Sequence, residues 1–392
     1  MSSPRRIYLD NAATSWPKPE SVYQAVEHFQ RTIGAPAGRG AYAEAIQVAR
    51  QLDRTRQAAL ELVNGRRDDS VLFTPSCTAA LNLAIHGLLR PGDHVVTTVV
   101  EHNSVLRPLR FAAEQRGVEV TLVDCDERGF VEPAAVRRAL RPATRLVAVA
   151  HASNVTGCVQ PVEAIGDILS AHPARFLIDA AQTLGHWPCD LAASRADFVA
   201  GAGHKGLLAP LGVGLLFARA EALRELTPLV QGGTGSHSES DRQPDDLPDR
   251  FESGNLDVPA IWGLSAGLEF LRQRGIADLA QQAAHLTVQL VEGLRAIPRV
   301  RVLGPSADEP RVGVVSFQIE GYDPQEVAAG LDAAHRIQLR AGLHCAGRMH
   351  ERLGTLAAGG ALRASFGPFN QPNDVDALLA AIAEFAAAES FP

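Results

Sequence analysis

Ala200-Gly201-Ala202-Gly203-His204-Lys205-Gly206 is a run of small residues broken by one His-Lys pair, set between the apolar stretches Phe198-Val199 and Val213 to Phe217. The pattern reads as a strand entering, a tight turn, and a second strand leaving. Glycines let a backbone approach a ligand closely and take positive φ without a Cβ penalty. A lysine in such a turn, partly withdrawn from water, loses some of its preference for the charged form, as Schiff-base lysines do. The stretch also fits a surface lysine in a mobile loop, so the choice rests on its surroundings.

Upstream, Phe176-Leu177-Ile178-Asp179-Ala180-Ala181-Gln182 reads as a buried strand ending on an acid. In α/β sheets, ligands bind at the carboxyl ends of strands. A carboxylate there, followed one structural unit later by a lysine, suits pyridoxal 5'-phosphate (PLP). The acid pairs with the pyridinium nitrogen and the lysine with the aldehyde. Ile178 to Gln182 and Gly203-His204-Lys205 closely resemble the fold-type I PLP enzymes of aminotransferase class V, and cysteine desulfurases in particular. The resemblance implies a mainly parallel seven-stranded sheet in a large PLP-binding domain, residues 15–260. A smaller α/β domain would combine residues 1–14 with 261–392 and carry a catalytic cysteine loop.

Composition agrees with an α/β protein of this size. The 392 residues are 46% hydrophobic and 21% charged, enough for a large core and a second, smaller one. A net charge of −7 disfavours a nucleic-acid partner, which calls for a basic face. Met1 to Arg6 lacks an apolar signal region, and no stretch is long and apolar enough to span a bilayer. Cys77, Cys125, Cys158, Cys189 and Cys345 form no CxxC pair and no metal-ligand spacing. A sparse, odd set of thiols suits a reducing cytoplasm.

In chain order, Ile7-Tyr8-Leu9-Asp10-Asn11-Ala12-Ala13-Thr14 is an extended arm that stops at Trp16-Pro17-Lys18-Pro19, with a helix from about Glu20. The resemblance puts this arm near the active site. Gly34 to Gly40 is a loop by composition, and Ala41 to Asn64 a helix with Gly65 as its stop. Val71 to Phe73 is a strand that turns through Thr74-Pro75-Ser76-Cys77-Thr78 into a helix reaching Leu89. A hydroxyl at that turn serves as a cap, and the same geometry makes an anion site. The resemblance assigns Thr78 to the cofactor phosphate, with Cys77 where relatives carry a second hydroxyl or small residue. From Arg90 to Phe176 strands alternate with helices, which implies a mainly parallel sheet. Val95 to Thr98, Glu119 to Val123 and Leu146 to Val149 are the strands; Val105 to Arg116, Ala134 to Leu140 and Val162 to Ala171 are the helices.

Function should then cluster after the strands. His102, in Glu101-His102-Asn103-Ser104, is by itself either a structural histidine or a ligand; the resemblance makes it the residue that stacks on PLP and shuttles protons. Asn154, in His151-Ala152-Ser153-Asn154, reads as a turn asparagine, or by resemblance as a contact to cofactor or substrate carboxylate. Asp179 caps a helix or, by resemblance, pairs with the ring, and Gln182 donates to the phenolic oxygen. The resemblance assigns His204 to the phosphate. Ala202 departs from it, because Ser or Thr is usual there; the lost hydrogen bond to a charged group is worth about 2 kcal/mol. Gln231 to Pro248 is a long loop. Arg250 to Asn255 resembles a segment that reaches across a homodimer to the partner's phosphate, with Asn255 replacing a threonine. Ala260 to Arg274 and Ala280 to Ala296 are helices, Val312 to Ile319 and Ala361 to Ser365 strands. Asp323-Pro324 caps a helix, and Pro372 opens a last one that ends near Phe391.

Arg340-Ala341-Gly342-Leu343-His344-Cys345-Ala346 discriminates among chemistries. A cysteine beside a histidine and near Arg340 and Arg363 is either a stabilised thiolate or an ordinary structural cysteine. The motif resembles the RxGxHCA loop of group II cysteine desulfurases, whose thiol takes up sulfur as a persulfide. Gly347 replaces a common proline there and implies a more mobile loop. Arg363 then clamps the substrate carboxylate, with Arg340 near the same place. Lys205, Cys345 and His102 are the expected catalytic residues, L-cysteine the substrate, and a sulfur-acceptor protein a further partner. Another class V reaction (selenocysteine or cystine lyase, epimerase, aminotransferase) and a non-catalytic binder on the same fold remain open.

Overall fold

A computed structural model of the chain describes residues 5–38 and 40–387. The strands are β1 (Ile7–Tyr8), β2 (Ser70–Thr74), β3 (His94–Thr98), β4 (Glu119–Val123), β5 (Thr144–Ala150), β6 (Arg175–Asp179), β7 (Phe198–Ala202), β8 (Gly214–Ala218), β9 (Val300–Leu303), β10 (Val314–Ile319), β11 (Ile337–Gln338), β12 (Arg340–Gly342) and β13 (Ala361–Ser365). The helices are α1 (Glu20–His28), α2 (Ala43–Leu62), α3 (Cys77–Leu88), α4 (Asn103–Arg116), α5 (Pro133–Ala139), α6 (Val162–Leu169), α7 (Ala220–Leu223), α8 (Val258–Arg274), α9 (Ile276–Ala296), α10 (Pro324–His335), α11 (Gly347–Arg352) and α12 (Pro372–Ala387). The expected helix end near Phe391 lies outside the described residues.

Seven strands form the main sheet in the order β2-β8-β7-β6-β5-β3-β4. From β7 to β4 every neighbouring pair is parallel. Only β8 runs against its neighbours, β2 and β7. The reason is the connection: residues 203–213 make a turn too short for the crossover that a parallel pair needs. Leu146 to Val149 on β5 and Phe176 to Ile178 on β6 are all buried. A strand covered on both faces gives such an unbroken apolar run. Helices pack on the two faces, and β5, β6 and β7 deliver Ala150, Asp179 and Ala202 to one edge.

A second, antiparallel sheet runs β12-β13-β10-β9. Its core joins Leu290, Val315, Phe317, Leu362 and Leu378 with Leu9 of the N-terminal arm. The arm also pairs in parallel, β1 with β11. Helix α8 belongs elsewhere: Ile261, Leu264, Leu268 and Leu271 share the core of α2 and the main sheet. We infer that the division between the two units falls near Gly275, at the end of α8, rather than at residue 260.

Helix ends follow local chemistry. Ser76 caps α3 by accepting from Ala79 N at 3.2 Å, and Asp323 caps α10 at Gln325 N, 2.7 Å. The stop of α2 is not Gly65. Asn64 takes the left-handed position, with φ 50°, and its amide donates to Asp190 at 2.9 Å. Asparagine tolerates that region where most side chains do not. Gly347 likewise opens α11 instead of loosening a loop. Gln231 to Pro248 has neither strand nor helix.

Candidate active site

A cavity of about 230 Å³ opens at the carboxyl edge of β5, β6 and β7 and is roofed by β12 and β13 of the smaller sheet. Ten of the expected residues line it: Cys77, Thr78, His102, Asn154, Asp179, Gln182, His204, Lys205, Arg340 and Arg363. Two do not. Cys345 is exposed on the loop after β12, and Asn255 lines a separate cavity beside Phe251 and Val230.

Lys205 sits in the turn between β7 and β8. The turn's glycines make room for protein, not for a ligand. A Cβ on Gly203 would lie 2.8 Å from the Val213 carbonyl, and one on Gly206 would lie 2.2 Å from that of Leu184. Burial lowers the Lys205 pKa; Asp179 and Cys77 oppose this, while Arg363 and Arg340 reinforce it. Asp179 is held by Ala181 N, which donates to Oδ1 at 2.9 Å. The Cys77 thiol lies 3.7 Å from the same oxygen, and burial and this carboxylate raise its pKa well above the usual range. Cys77 thus faces the strand-end acid with its thiol; a phosphate could meet only its backbone N–H. Gln182 Nε2 donates to Ala12 O at 3.1 Å, tying the arm to the site.

The start of α3 and His204 form one wall. Gly214 lets β8 press on this turn: its Cβ would sit 2.2 Å from Ser76 C and 2.5 Å from Cys77 N. The first-turn N–H groups and the helix dipole suit an anion. His204 Nδ1 is buried without a partner among the described residues, and its ring is held neutral, its pKa pushed down to about 4 by burial and then by Lys205 and Lys18. Ala202 offers no hydroxyl to this wall.

His102 caps α4. Its Nδ1 accepts from Ser104 N at 3.0 Å and lies 2.9 Å from Ser104 Oγ, which is 2.8 Å from Thr78 Oγ1. An acceptor Nδ1 puts the proton of the neutral ring on Nε2. The hydroxyl order is then Thr78 to Ser104 to His102. Burial lowers the His102 pKa against the pull of Asp179, so the ring presents an N–H without charge.

Arg363 is only 1% exposed. Its Nη2 donates to Asp10 at 2.8 Å and its Nη1 to Asn154 O at 3.1 Å, while Nε has no partner among the described residues. Burial lowers its pKa in spite of Asp10. Arg340, opposite Arg363 across β12 and β13, makes no side-chain hydrogen bond among the described residues. Asn154 Nδ2 donates to His344 O at 2.6 Å, and Asn103 N to Cys345 O at 2.8 Å. These bonds pin two successive residues in left-handed conformation, His344 at φ 49° and Cys345 at φ 58°.

Asp10, Ser104 and His344 were not singled out by the sequence. Asp10 stood in the arm without a visible partner. Ser104 sat two residues beyond a highlighted histidine, at a helix start where a hydroxyl reads as a cap. His344 was seen only as a neighbour of Cys345.

A lysine turn, a strand-end carboxylate and a helix N-terminus around one cavity, on a mainly parallel seven-stranded sheet, define the fold-type I class of PLP enzymes. Within that class, the chain belongs to the aminotransferase class V family, whose model matches residues 7–378. It is 35% identical over 385 residues to a probable cysteine desulfurase of Methanothermobacter thermautotrophicus, covering 97% of this chain and 94% of that protein. A probable cysteine desulfurase of Pyrococcus abyssi is 33% identical over 383 residues, covering 96% and 94%. Among solved structures, the apo cysteine desulfurase of Thermococcus onnurineus superposes with a TM-score of 0.89 at 31% identity, over 97% of this chain and 94% of that one.

Proposed function

We propose that this protein is a PLP-dependent cysteine desulfurase, which converts L-cysteine to L-alanine and carries the sulfur as a persulfide on Cys345. One observation carries the reading. A single cavity holds Lys205, Asp179 and two arginines, and the exposed cysteine follows His344 of its wall, whereas the other four cysteines are buried.

The residues fit the cofactor. An unpartnered His204 Nδ1 and the first turn of α3 suit its phosphate, Asp179 its ring nitrogen, and Lys205 its aldehyde. Gln182 would turn from Ala12 to the phenolic oxygen. PLP, when bound, supplies an electron sink for bond breaking at the α-carbon of an amino acid. Lowering of the Lys205 pKa by burial favours the neutral amine that can take the α-proton at Nζ. Arg340 offers an uncommitted fork to the substrate carboxylate, and Arg363 its remaining Nε–H. The Cys345 thiolate attacks the substrate sulfur: its lone pair makes the S–S bond, and the Cβ–S pair stays on Cβ. That carbon takes a proton from His102 Nε2 while Nδ1 gains one from solvent through the Thr78 and Ser104 hydroxyls, so the ring stays neutral. Asn154 and Asn103 hold the loop that aims the thiol. Asn255, turned away from this cavity, fits a role in the partner's site of a homodimer. A sulfur-acceptor protein then takes the persulfide. All five cysteines are unpaired, in keeping with a reducing cytoplasm. Among the described residues no helix is long and apolar enough to cross a membrane.

The test is product formation from L-cysteine with added reductant. The wild type should release alanine and sulfide in equal amounts. Cys345→Ala should release neither, yet keep the visible absorbance band of the bound cofactor. Undiminished sulfide release from that variant would remove Cys345 from the reaction.

A further inference from the structure

A second cavity, of about 330 Å³, backs onto the strand ends that carry the catalytic one. Ala150, Ala152 and Asp179 line the catalytic cavity, whereas His151 and Ile178, their neighbours in the chain, line the other. The second cavity is the larger of the two and within the range of small-molecule sites. Val162, Ile178 and Trp187 give it apolar walls. None of the steps above uses it.

Its polar lining is unusual in two ways. The first is His151. The residue is 5% exposed, its Nδ1 is buried without a partner, and neither ring nitrogen makes a hydrogen bond among the described residues. An imidazole withdrawn from water normally spends both nitrogens, as His94 does on Thr144 and Thr121. Burial keeps the His151 ring neutral, its pKa pushed down to about 4. A neutral imidazole has one N–H and one lone pair. With neither nitrogen committed, either tautomer is open to the ring, so a lone pair is available to a donor that enters the cavity.

The second is charge. Glu163 and Asp190 line the cavity, and no lysine or arginine does so among the described residues. Asp190 stays ionised: burial is outweighed by Ala193 N, Asn64 Nδ2 and Ala192 N, which donate to its carboxylate at 2.8, 2.9 and 2.7 Å and lower its pKa. Glu163 is exposed. Such a lining repels carboxylates and phosphate esters and attracts a cation. The half-buried Trp187 indole adds a face on which an aromatic ring or an organic cation rests.

We propose that this cavity is a second small-molecule site that takes a small aromatic ammonium ion. The aromatic ring lies against Trp187, Glu163 and Asp190 balance the charge, and the ammonium N–H is donated to the free imidazole of His151. The site does not rest on the desulfurase reading.

The test is calorimetric titration of the holoenzyme at neutral pH with N,N-dimethylbenzylamine. This tertiary amine is protonated there, carries one N–H, and forms no imine with the cofactor. Two control compounds separate the contacts. Benzyltrimethylammonium keeps ring and charge but has no N–H, and phenylacetate replaces the cation by an anion. The wild type should bind the tertiary amine at one site, about tenfold or more tightly than benzyltrimethylammonium, and phenylacetate not at all. His151→Leu should erase the difference between the two cations. Trp187→Leu should weaken both cations about threefold or more, and Glu163→Gln about twofold. These two variants decide the matter should His151→Leu not fold. No saturable binding of the tertiary amine, equal binding of phenylacetate, or affinities unchanged in Trp187→Leu and Glu163→Gln would overturn the inference.

Discussion

At the scale of single residues, the least expected contact is the ion pair between Asp10 and Arg363. The arginine side chain is 1% exposed and the aspartate side chain 22%. A guanidinium so far from water needs its partners, and here they are one carboxylate and one backbone carbonyl. Removing one member of a buried pair is costlier than never having made it. Asp10→Ala should therefore destabilise the fold by about 3 kcal/mol in urea unfolding. Asp10→Asn, which keeps an acceptor oxygen, should lose less. A loss for Asp10→Ala below about 0.5 kcal/mol would mean that Arg363 finds another anion. This pair also shows where a sequence falls silent. Lys205 and Asp179 were legible because one follows a buried strand within three residues and the other ends one, so chemistry and position are written in the same few residues. Asp10 meets its partner across a separation of 353 residues. Nothing local to either residue announces the other.

At the scale of elements, the site depends on the hairpin-like excursion between β12 and β13. Its two ends are glycines in a region closed to most residues, Gly342 at φ 106° and Gly360 at φ 100°. They also touch: a Cβ on Gly360 would lie 2.1 Å from the Gly342 carbonyl oxygen. Gly360 O in turn accepts from Gln318 Nε2 of β10 at 2.8 Å. Gly360→Ala should thus strain the base of the loop that presents Cys345, costing about 2 kcal/mol or more in stability. Desulfuration should fall while the cofactor band persists, because the cavity wall at α3 and Lys205 is untouched. Unchanged unfolding and turnover would refute this account of the loop. The strands of the main sheet were readable because burial on both faces leaves a continuous apolar run. Strands β9, β11 and β12 were not. They have two to four residues each, and their burial mixes half-exposed with buried positions, so neither alternation nor an apolar run emerges. Ends set by side-chain chemistry behaved similarly: the cap at Asp323 was readable, but Asn64 rather than Gly65 closes α2 because an asparagine's amide found Asp190 in the fold.

At the scale of the whole molecule, a common thread is the neutral histidine, buried or partly withdrawn from water. His151, His186, His204 and His350 have their pKa pushed down to about 4, and His344 to about 2, with burial the first cause in each case. In the unfolded chain the same rings take up protons near pH 6.5. Below that pH the unfolded state binds more protons than the folded one, so stability must fall as pH drops from about 6.5 toward 4. Glu101 acts in the opposite sense. Burial raises its pKa to about 8, so the folded state holds a proton that the unfolded state has released, and its contribution is lost as pH rises from about 4.5 to 8. Five rings outweigh one carboxyl on the acid side. His151 illustrates the size. It is 5% exposed, and its shift alone should cost about 2 kcal/mol of folding free energy between pH 7 and pH 5. Urea unfolding at the two pH values should show a total drop larger than that. His151→Leu, which leaves no ring to protonate, should narrow the difference by about 2 kcal/mol. A stability independent of pH between 5 and 7 would mean that these rings are charged inside the fold.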